Sequence, residues 1–152
     1  MEPATRDAFK RLLSEHDTLA IATEHAGQPF VTRVFFAEEW GPDGSLHLYG
    51  TFITTSRKLA NLRQNPRIGL FIGPPQPTIW MEGTARASII ADSGEQHHAI
   101  ALVSAKSATA AAFIKRVPIA PVRMIPCWLR VTDLSAGLAI YENVFDERGL
   151  PE

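Results

Sequence analysis

Cys127 is the only cysteine in the 152-residue sequence, so the chain forms no internal disulfide and offers no thiolate cluster for zinc or an iron–sulfur centre. Long apolar runs are also missing, and the first residues form neither a basic leader nor an apolar signal core, so we expect no membrane span and no secretion signal. The 15 basic and 16 acidic residues nearly cancel, which removes the electrostatic basis for nucleic-acid binding. These absences favour a cytoplasmic location.

The size and composition of the chain indicate one folded domain. Apolar residues make up 45% of the sequence and charged residues 20%, values close to those of an average globular protein. A chain of this length buries enough apolar surface to fold without a disulfide or a metal. We therefore predict a single domain over residues 1–152.

Apolar spacing and turn residues predict the order of the elements. Phe9, Leu12 and Leu13 have the spacing of an amphipathic helix that covers a core. Strands are predicted at 19–23, 30–36, 46–49, 68–72, 78–90, 124–134 and 138–145, with turns at 73–77 and 135–137 and a bulge at Gly83. Helices are predicted at 55–65 and 94–113, the second capped by Asp92 or Ser93 and broken between 104 and 107. This order predicts a mainly β protein with peripheral helices, built as an antiparallel, Greek-key-like barrel, because closure removes exposed sheet edges.

The start of the second predicted helix has the residues of a phosphate site. If Thr55 or Ser56 caps this helix, its first N–H groups and the helix dipole meet the cations of Arg57 and Lys58. First helical turns favour acidic residues, so two cations at this place indicate a function. The alternative is that both cations are simply solvated.

Arg33, Val34, Phe35 and Phe36 form a second candidate segment. An apolar strand beside a phosphate site would present its backbone to the edge of a flat heterocycle and its side chains to one face. The alternative is an ordinary core strand.

Several segments together carry a family resemblance. They are residues 19–23, the turn at 26–29, the helix and its flanks at 56–67, and residues 82–85. The order Ser-Arg-Lys at the start of that helix and Asn-Pro-Arg at its end is the most specific part. On these residues the sequence resembles the pyridoxamine-phosphate-oxidase-like superfamily of FMN-binding split barrels. The resemblance implies a split β-barrel that holds FMN at the interface of a homodimer.

The resemblance also implies roles for individual residues. The strand that carries the isoalloxazine and ribityl chain in the family is matched by Arg33, Val34, Phe35 and Phe36. The strand end that contacts flavin and phosphate is matched by Tyr49, Gly50 and Thr51. The phosphate clamp is matched by Ser56, Arg57 and Lys58, and Thr78 stands where the oxidase has a glutamine. One departure is Ala37-Glu38, where the oxidase has a lysine that holds its phosphorylated substrate. A carboxylate there would repel that substrate, so we do not expect the oxidase's own activity.

Two classes of function stay open at this stage. In the first, FMN passes a hydride or electrons between a nicotinamide donor and a small substrate, and no catalytic acid or base is required. In the second, the protein binds or stores flavin, deazaflavin or haem without turnover. No metal site is assigned, because His97 and His98 are adjacent on a helix and do not share a face. Cys127 lies in a predicted strand and is expected to be a small buried side chain.

Overall fold

The computed structural model describes residues 1–75, 77–135 and 137–152, so Gln76 of the predicted 73–77 turn and Ala136 of the predicted 135–137 turn lie outside the described residues. Over this part of the chain the helices are α1 (Pro3–Glu15), α2 (Arg57–Gln64), α3 (Ser93–Lys106) and α4 (Ala108–Ile114). The strands are β1 (Thr18–His25), β2 (Gln28–Trp40), β3 (Leu46–Ile53), β4 (Arg67–Ile72), β5 (Ile79–Ile89), β6 (Ile119–Asp133) and β7 (Ala139–Val144). The element order agrees with the order predicted from the sequence.

The first six strands close into a barrel, and β7 extends the sheet beyond it. The strands pair antiparallel in the order β3-β2-β1-β4-β5-β6-β7, and β3 also pairs with β6, which joins the two ends of the six-stranded part. The chain leaves β3 through α2 and enters β4 beside β1. The predicted mainly β, antiparallel barrel with peripheral helices is confirmed.

The barrel interior is filled by side chains. Along β1, Leu19 and Ile21 are buried, whereas Ala20 between them is partly exposed, as the alternation of a strand requires. The rings of Phe36 and Phe52 also belong to this core and have no exposed surface. A ligand site must therefore lie on the outside of the barrel.

Helix α1 covers one part of the barrel, as predicted. Its apolar residues Phe9, Leu12 and Leu13 are fully buried. Pro3 begins the helix, where a proline removes no intrahelical hydrogen bond. The ring of Phe9 stacks on Phe145 with 6.3 Å between centroids, which joins the helix to the segment that follows β7.

Helices α3 and α4 cover the outer face of β2 and β3. The backbone N–H of Glu95 donates to the Asp92 carboxylate at 2.8 Å, which confirms the predicted cap of α3. The predicted break lies at Ser107, which ends α3 and accepts a hydrogen bond from the Ala110 N–H at 3.3 Å as the cap of α4. A second small core, which includes Ala99 of α3 and Ala110 of α4, fixes both helices on the sheet.

The predicted bulge at Gly83 of β5 is wrong, because the bulge between these two strands lies in β6. The register between β5 and β6 shifts between Thr84 and Ala85, and Cys127 of β6 is the residue without a partner there. Gly83 is required for another reason: a Cβ at this position would lie 2.4 Å from the Trp128 carbonyl oxygen. Because of the bulge Cys127 is only partly buried, which corrects the expectation of a buried core thiol.

Candidate functional site

A cavity of about 280 Å³ lies between β2, β3, the start of α2 and α4. It is lined by Thr18, Arg33, Val34, Phe35, Thr51, Ile53, Lys58 and Phe113. The structure thus brings together five of the residues that the sequence assigns to flavin binding, from three separate segments. This cavity is called the flavin cavity below, after the ligand that the family resemblance implies.

The wall of the flavin cavity on the barrel side comes from β2. Arg33 and Phe35 point out of the barrel because they alternate with the buried Val34 and Phe36. The ring of Phe35 lies 6.0 Å from the ring of Phe113 in α4, at an angle of 51°. Two aromatic rings from distant parts of the chain therefore form an apolar wall.

Another part of the flavin cavity lining is polar and includes a hydroxyl without a hydrogen-bond partner among the described residues. Thr51, at the end of β3, is 4% exposed, and its hydroxyl has no hydrogen-bond partner among the described residues. The hydroxyl of Ser56 is also buried and has no hydrogen-bond partner among the described residues. The Ser56 N–H donates to the carbonyl of Ile53, a residue of the cavity lining, at 3.0 Å. Both hydroxyls thus lie at or beside the cavity.

Ser56 precedes α2 at the capping position, but its side chain makes no capping hydrogen bond. This corrects the expectation that a hydroxyl caps the helix. The first turn of α2 contains no acidic residue, and its second residue, Lys58, lines the cavity. The N–H groups of a first helical turn have no intrahelical acceptor, and the helix dipole places partial positive charge there. The start of α2 is therefore suited to an anion.

Lys58 is held close to apolar groups. Its ammonium lies 5.5 Å from the centroid of the Phe52 ring. Burial lowers the pKa of Lys58 below its ordinary value, since removal of water disfavours the charged form. An anion beside Lys58 would offset this cost.

Arg57 does not join Lys58 in the flavin cavity. Its guanidinium lies over the ring of Phe30, 4.8 Å from the centroid, and it lines a separate hollow with His25 and Gln64. Successive residues of a helix point about 100° apart, so only one of the two cations can face the cavity. The structure separates two residues that the sequence assigns to one clamp.

The structure also places Phe36, Tyr49 and Gly50 outside the cavity lining. Phe36 lies inside the barrel, and a Cβ at Gly50 would lie 2.9 Å from the Phe52 ring, so both are core positions. Tyr49 is buried below α3, with its ring 5.8 Å from the ring of His98. This burial raises the pKa of Tyr49 to about 12, and the negative charge of the nearby Glu39 contributes to the shift.

Thr78 is exposed before β5 and is not among the residues that line the cavity. Its carbonyl accepts a hydrogen bond from the Leu134 N–H at 2.7 Å, which ties the chain to the end of β6. Thr18, Ile53 and Phe113 line the cavity without having been singled out from the sequence. A predicted third strand that continued four residues further would have included Ile53, whereas no local pattern links Phe113 to β2.

Glu38, the residue that departs from the oxidase, is neutralised by a neighbour. Its carboxylate bonds to the ammonium of Lys106, and the two side chains are 16% and 14% exposed. The same ammonium donates to the Leu13 carbonyl at 2.7 Å and lies 4.1 Å from the centroid of the Phe36 ring. Through Lys106 the end of α3 is joined to Glu38 of β2 and to Leu13 of α1, and Glu38 is not among the residues that line the flavin cavity.

Two classes of feature are not found in the described residues. They contain no group of three or more His, Cys, Asp or Glu side chains arranged to hold a metal ion. In the same residues no helix is long and apolar enough to cross a membrane. His98 lies beside Glu39, with Nε2 at 2.7 Å from a carboxylate oxygen.

Solved structures of low sequence identity share this fold. A Clostridium acetobutylicum protein related to general stress protein 26 of B. subtilis, of the pyridoxinephosphate oxidase family, superposes with a TM-score of 0.72 at 12% identity, over 97% of this chain and 99% of its own. A FAD-binding protein from Mesorhizobium loti gives a TM-score of 0.60 at 18% identity, over 81% and 88% of the two chains. A heme binding protein from Mycobacterium smegmatis gives 0.73 at 14% identity, over 95% of this chain and 59% of its own.

Sequence comparison assigns the family. No curated protein sequence matches the chain. The family model for pyridoxamine 5'-phosphate oxidase matches residues 5–125, which include β1 to β5, most of α1, the other three helices and the first part of β6. The barrel, its helices and this match lead to one conclusion: the chain belongs to the pyridoxamine 5'-phosphate oxidase family.

Proposed function

We propose that the protein binds FMN, with the phosphate at the start of α2 and the ring against β2, and uses the flavin to oxidise or reduce a small substrate. The observation that carries the proposal is the pair of buried hydroxyls of Thr51 and Ser56, which have no partner among the described residues. A buried hydroxyl without a partner costs about 1–3 kcal/mol, and phosphate oxygens accept hydrogen bonds from hydroxyls. A bound phosphate would remove this cost at both positions.

The remaining groups of the flavin cavity fit the two parts of FMN. Lys58 would attract the phosphate, and the N–H groups of the first turn of α2 would donate to it. Phe35 and Phe113 would pack against the isoalloxazine, and Arg33 would add a second positive charge. The bound flavin supplies the hydride or electron transfer, so the proposal requires no acid or base from the chain. A reduced nicotinamide of the cytoplasm is the electron donor that we propose.

Haem is the principal alternative ligand, because one protein of this fold is a heme binding protein. Haem iron is held by a histidine, cysteine, methionine or tyrosine side chain. None of these residue types is among the described residues that line the flavin cavity. The composition of the lining therefore favours a flavin over haem.

The flavin cavity is too small to enclose a whole cofactor. Its volume of about 280 Å³ is below the range of about 300–1,000 Å³ that is usual for ligand pockets. Part of a bound flavin would stay uncovered, and water would reach its ring. A second wall is needed to exclude that water.

We propose that a second copy of the chain supplies this wall. Val31 and Phe71 are apolar but 73% and 42% exposed, on the outer face of β2 and β4. Between them lie the small residues Ala20 and Ala22 of β1, and these four residues line one open hollow. Val31 lies on the same side of β2 as Arg33 of the cavity, so this face continues into the flavin cavity. Exposed apolar patches of this kind are typical of interfaces.

Titration of the apo-protein tests the cofactor. Flavin fluorescence is followed while FMN, riboflavin, FAD or a deazaflavin is added, and haem is followed by its absorbance. FMN should bind at least about tenfold more tightly than riboflavin, because only FMN carries the phosphate. Equal affinities for FMN and riboflavin would contradict the phosphate site, and preference for haem or a deazaflavin would replace the proposed cofactor.

Sedimentation of the FMN-loaded protein tests the second copy. A dimer is expected, and Val31→Asp should shift it towards monomers with weaker FMN binding, because a charge would be buried in the interface. Leu138→Asp is the matched control, since Leu138 is 69% exposed and lies between β6 and β7. A wild-type monomer that holds FMN tightly would contradict the proposal.

Storage without turnover is the remaining alternative. A binding or storage protein would hold flavin that reduced nicotinamide does not bleach faster than free FMN. Anaerobic stopped-flow with NADH and NADPH distinguishes the two classes. Accelerated loss of the oxidised flavin absorbance is expected for an oxidoreductase.

A further inference from the structure

A second cavity lies at the opposite ends of β1 and α2 from the flavin cavity. Its volume is about 460 Å³, and no residue lines both cavities. Asn65, which follows α2, and Glu24, near the end of β1, lie at one side, whereas Arg67, Arg86 and Cys127 come from β4, β5 and β6. This second cavity is called the arginine cavity below.

Two like charges are cross-strand neighbours in the lining of the arginine cavity. Arg67 of β4 and Arg86 of β5 are register partners, and both side chains are exposed. Directly opposed like charges on neighbouring strands destabilise a sheet. Among the residues that the structure describes, neither guanidinium has an ion pair or a hydrogen bond to a side chain.

The same sheet shows that opposed charges can be complementary. Glu82 of β5 is the register partner of Arg130 of β6, and the two side chains form an ion pair. The Arg67 and Arg86 pair has the same cross-strand arrangement, with a second cation where the other pair has a carboxylate. An external oxyanion would complete it, because guanidinium groups bind carboxylate and phosphate in bidentate geometry.

The one carboxylate in the described lining of the arginine cavity is already engaged. Glu24 accepts a hydrogen bond from the Asn65 side chain at 2.8 Å and another from the Gly27 N–H. The side-chain oxygen of Asn65 in turn accepts from the Arg67 backbone N–H at 3.1 Å. Both oxygens of the Glu24 carboxylate are thus engaged, and among the described residues it forms no ion pair with Arg67 or Arg86.

The floor of the arginine cavity is apolar and open. A Cβ at Gly69 would meet only the Cβ of Ala22, at 3.5 Å, so there is space above the strands. The bulge in β6 turns the half-buried Cys127 into the lining. A ligand here would place its apolar body on these residues and its charge between the arginines.

We propose that the arginine cavity binds a small oxyanion, a carboxylate or a phosphate ester with a compact apolar body, between Arg67 and Arg86. The site shares no lining residue with the flavin cavity, although Ala22 in its floor also belongs to the face that we propose for the second copy. It provides a place for an anionic substrate or effector that does not compete with the FMN phosphate.

The only cysteine of the chain reports on this site. The Cys127 thiolate displaces iodide from iodoacetate, which is an anion, and from iodoacetamide, which is neutral and of nearly the same size. The ratio of the two alkylation rates, followed by mass spectrometry, measures attraction of an anion at the cavity. Arg67→Gln and Arg86→Gln should each lower this ratio about fivefold, and Arg63→Gln on the exposed face of α2 should leave it unchanged.

Protection experiments identify the anion. Inorganic phosphate and benzoate, compared with sodium chloride at equal ionic strength, should each slow alkylation of Cys127 in FMN-saturated and in FMN-free protein. Stronger protection by benzoate indicates a carboxylate with an apolar body, and stronger protection by phosphate indicates a phosphate ester.

Two results would overturn the proposal. One is a rate ratio that stays the same in Arg67→Gln and Arg86→Gln, because the arginines would then attract no anion. The other is that neither reagent alkylates Cys127 in the wild-type protein but both do so in Val31→Asp, in which the copies are separated. This result would show that the second copy fills the cavity. Either result leaves the FMN titration unaffected.

Discussion

The flavin cavity and the arginine cavity lie at the two ends of α2, and each has two cations in its lining. They differ in what is buried. At the flavin cavity the hydroxyls of Thr51 and Ser56 are buried and have no partner among the described residues, whereas at the arginine cavity Arg67 and Arg86 are exposed to water. Unpartnered burial costs more than exposed repulsion. The flavin cavity therefore has the stronger requirement for a ligand.

The largest expected effect separates two adjacent cations. Lys58→Gln should lower FMN affinity about 10- to 100-fold, because a charged hydrogen bond to phosphate contributes about 1.5–3 kcal/mol. Arg57→Gln is the matched control and should change FMN affinity little, since Arg57 lies over Phe30 outside the cavity lining. Fluorescence titration of each variant with FMN and riboflavin measures the difference.

The reverse order would contradict the placement of the phosphate. If Arg57→Gln weakened FMN binding and Lys58→Gln did not, the phosphate would lie in the hollow beside His25. Riboflavin affinity should be nearly the same in both variants, because it lacks the phosphate.

Thr51→Val should change stability and binding in opposite directions. Without ligand, loss of the buried hydroxyl should raise the free energy of unfolding by about 1 kcal/mol, because an unsatisfied group is removed. With FMN, affinity should fall about tenfold, because the hydrogen bond to the phosphate is lost. Urea unfolding and FMN titration of the same samples measure both. A less stable apo-protein would show that the hydroxyl already has a partner.

FMN affinity should fall as the pH rises, and this fall should begin below pH 10.5, the ordinary lysine pKa, because burial lowers the pKa of Lys58. The pKa of Lys58 is lower in the folded than in the unfolded chain, so between these two pKa values the unfolded chain binds more protons. This group therefore makes the apo-protein more stable as pH rises. FMN binding changes in the opposite direction, since the ammonium that attracts phosphate is lost.

Titrations with FMN and riboflavin between about pH 7 and about pH 10 test this. Riboflavin serves as the control for changes in the ring or in the fold. If FMN affinity declined in the same way in Lys58→Gln, the pH dependence would belong to another titratable group.

The smallest effect concerns the arginine cavity. Arg86→Gln should raise the free energy of unfolding by a few tenths of a kcal/mol at low salt, because it removes the repulsion with Arg67. Arg130→Gln should lower it by about 0.2–1 kcal/mol, because it breaks the exposed pair with Glu82. Thermal unfolding at two salt concentrations measures both. A loss of stability in Arg86→Gln would show that its stem packs usefully in the cavity.

Local patterns accounted for most of the fold. The spacing of Phe9, Leu12 and Leu13 predicted α1, and Asp92 and Ser107 lie where caps of α3 and α4 are found. These features depend on residues three or four positions apart, so the sequence carries them directly. The bulge was misplaced because Gly83 is required by the approach of β6, a contact between residues far apart in the chain.

The candidate site was predicted only in part, and burial explains the difference. Tyr49 and Thr51 stand on the same side of β3, yet α3 covers Tyr49 and leaves Thr51 at the cavity. Arg57 and Lys58 are equivalent in sequence, and only the direction of each side chain from α2 separates them. A family resemblance identifies such segments but does not assign each residue in them.

The sequence alone determined the elements and the antiparallel barrel, because periodicity, caps and turns act between neighbours in the chain. The family resemblance indicated the segments around the flavin cavity. The tertiary structure decided which residues share a cavity. Phe113 reaches Phe35 through the packing of α4, and Arg67 meets Arg86 through the register of two strands. Such contacts depend on long-range packing, and no local pattern encodes them.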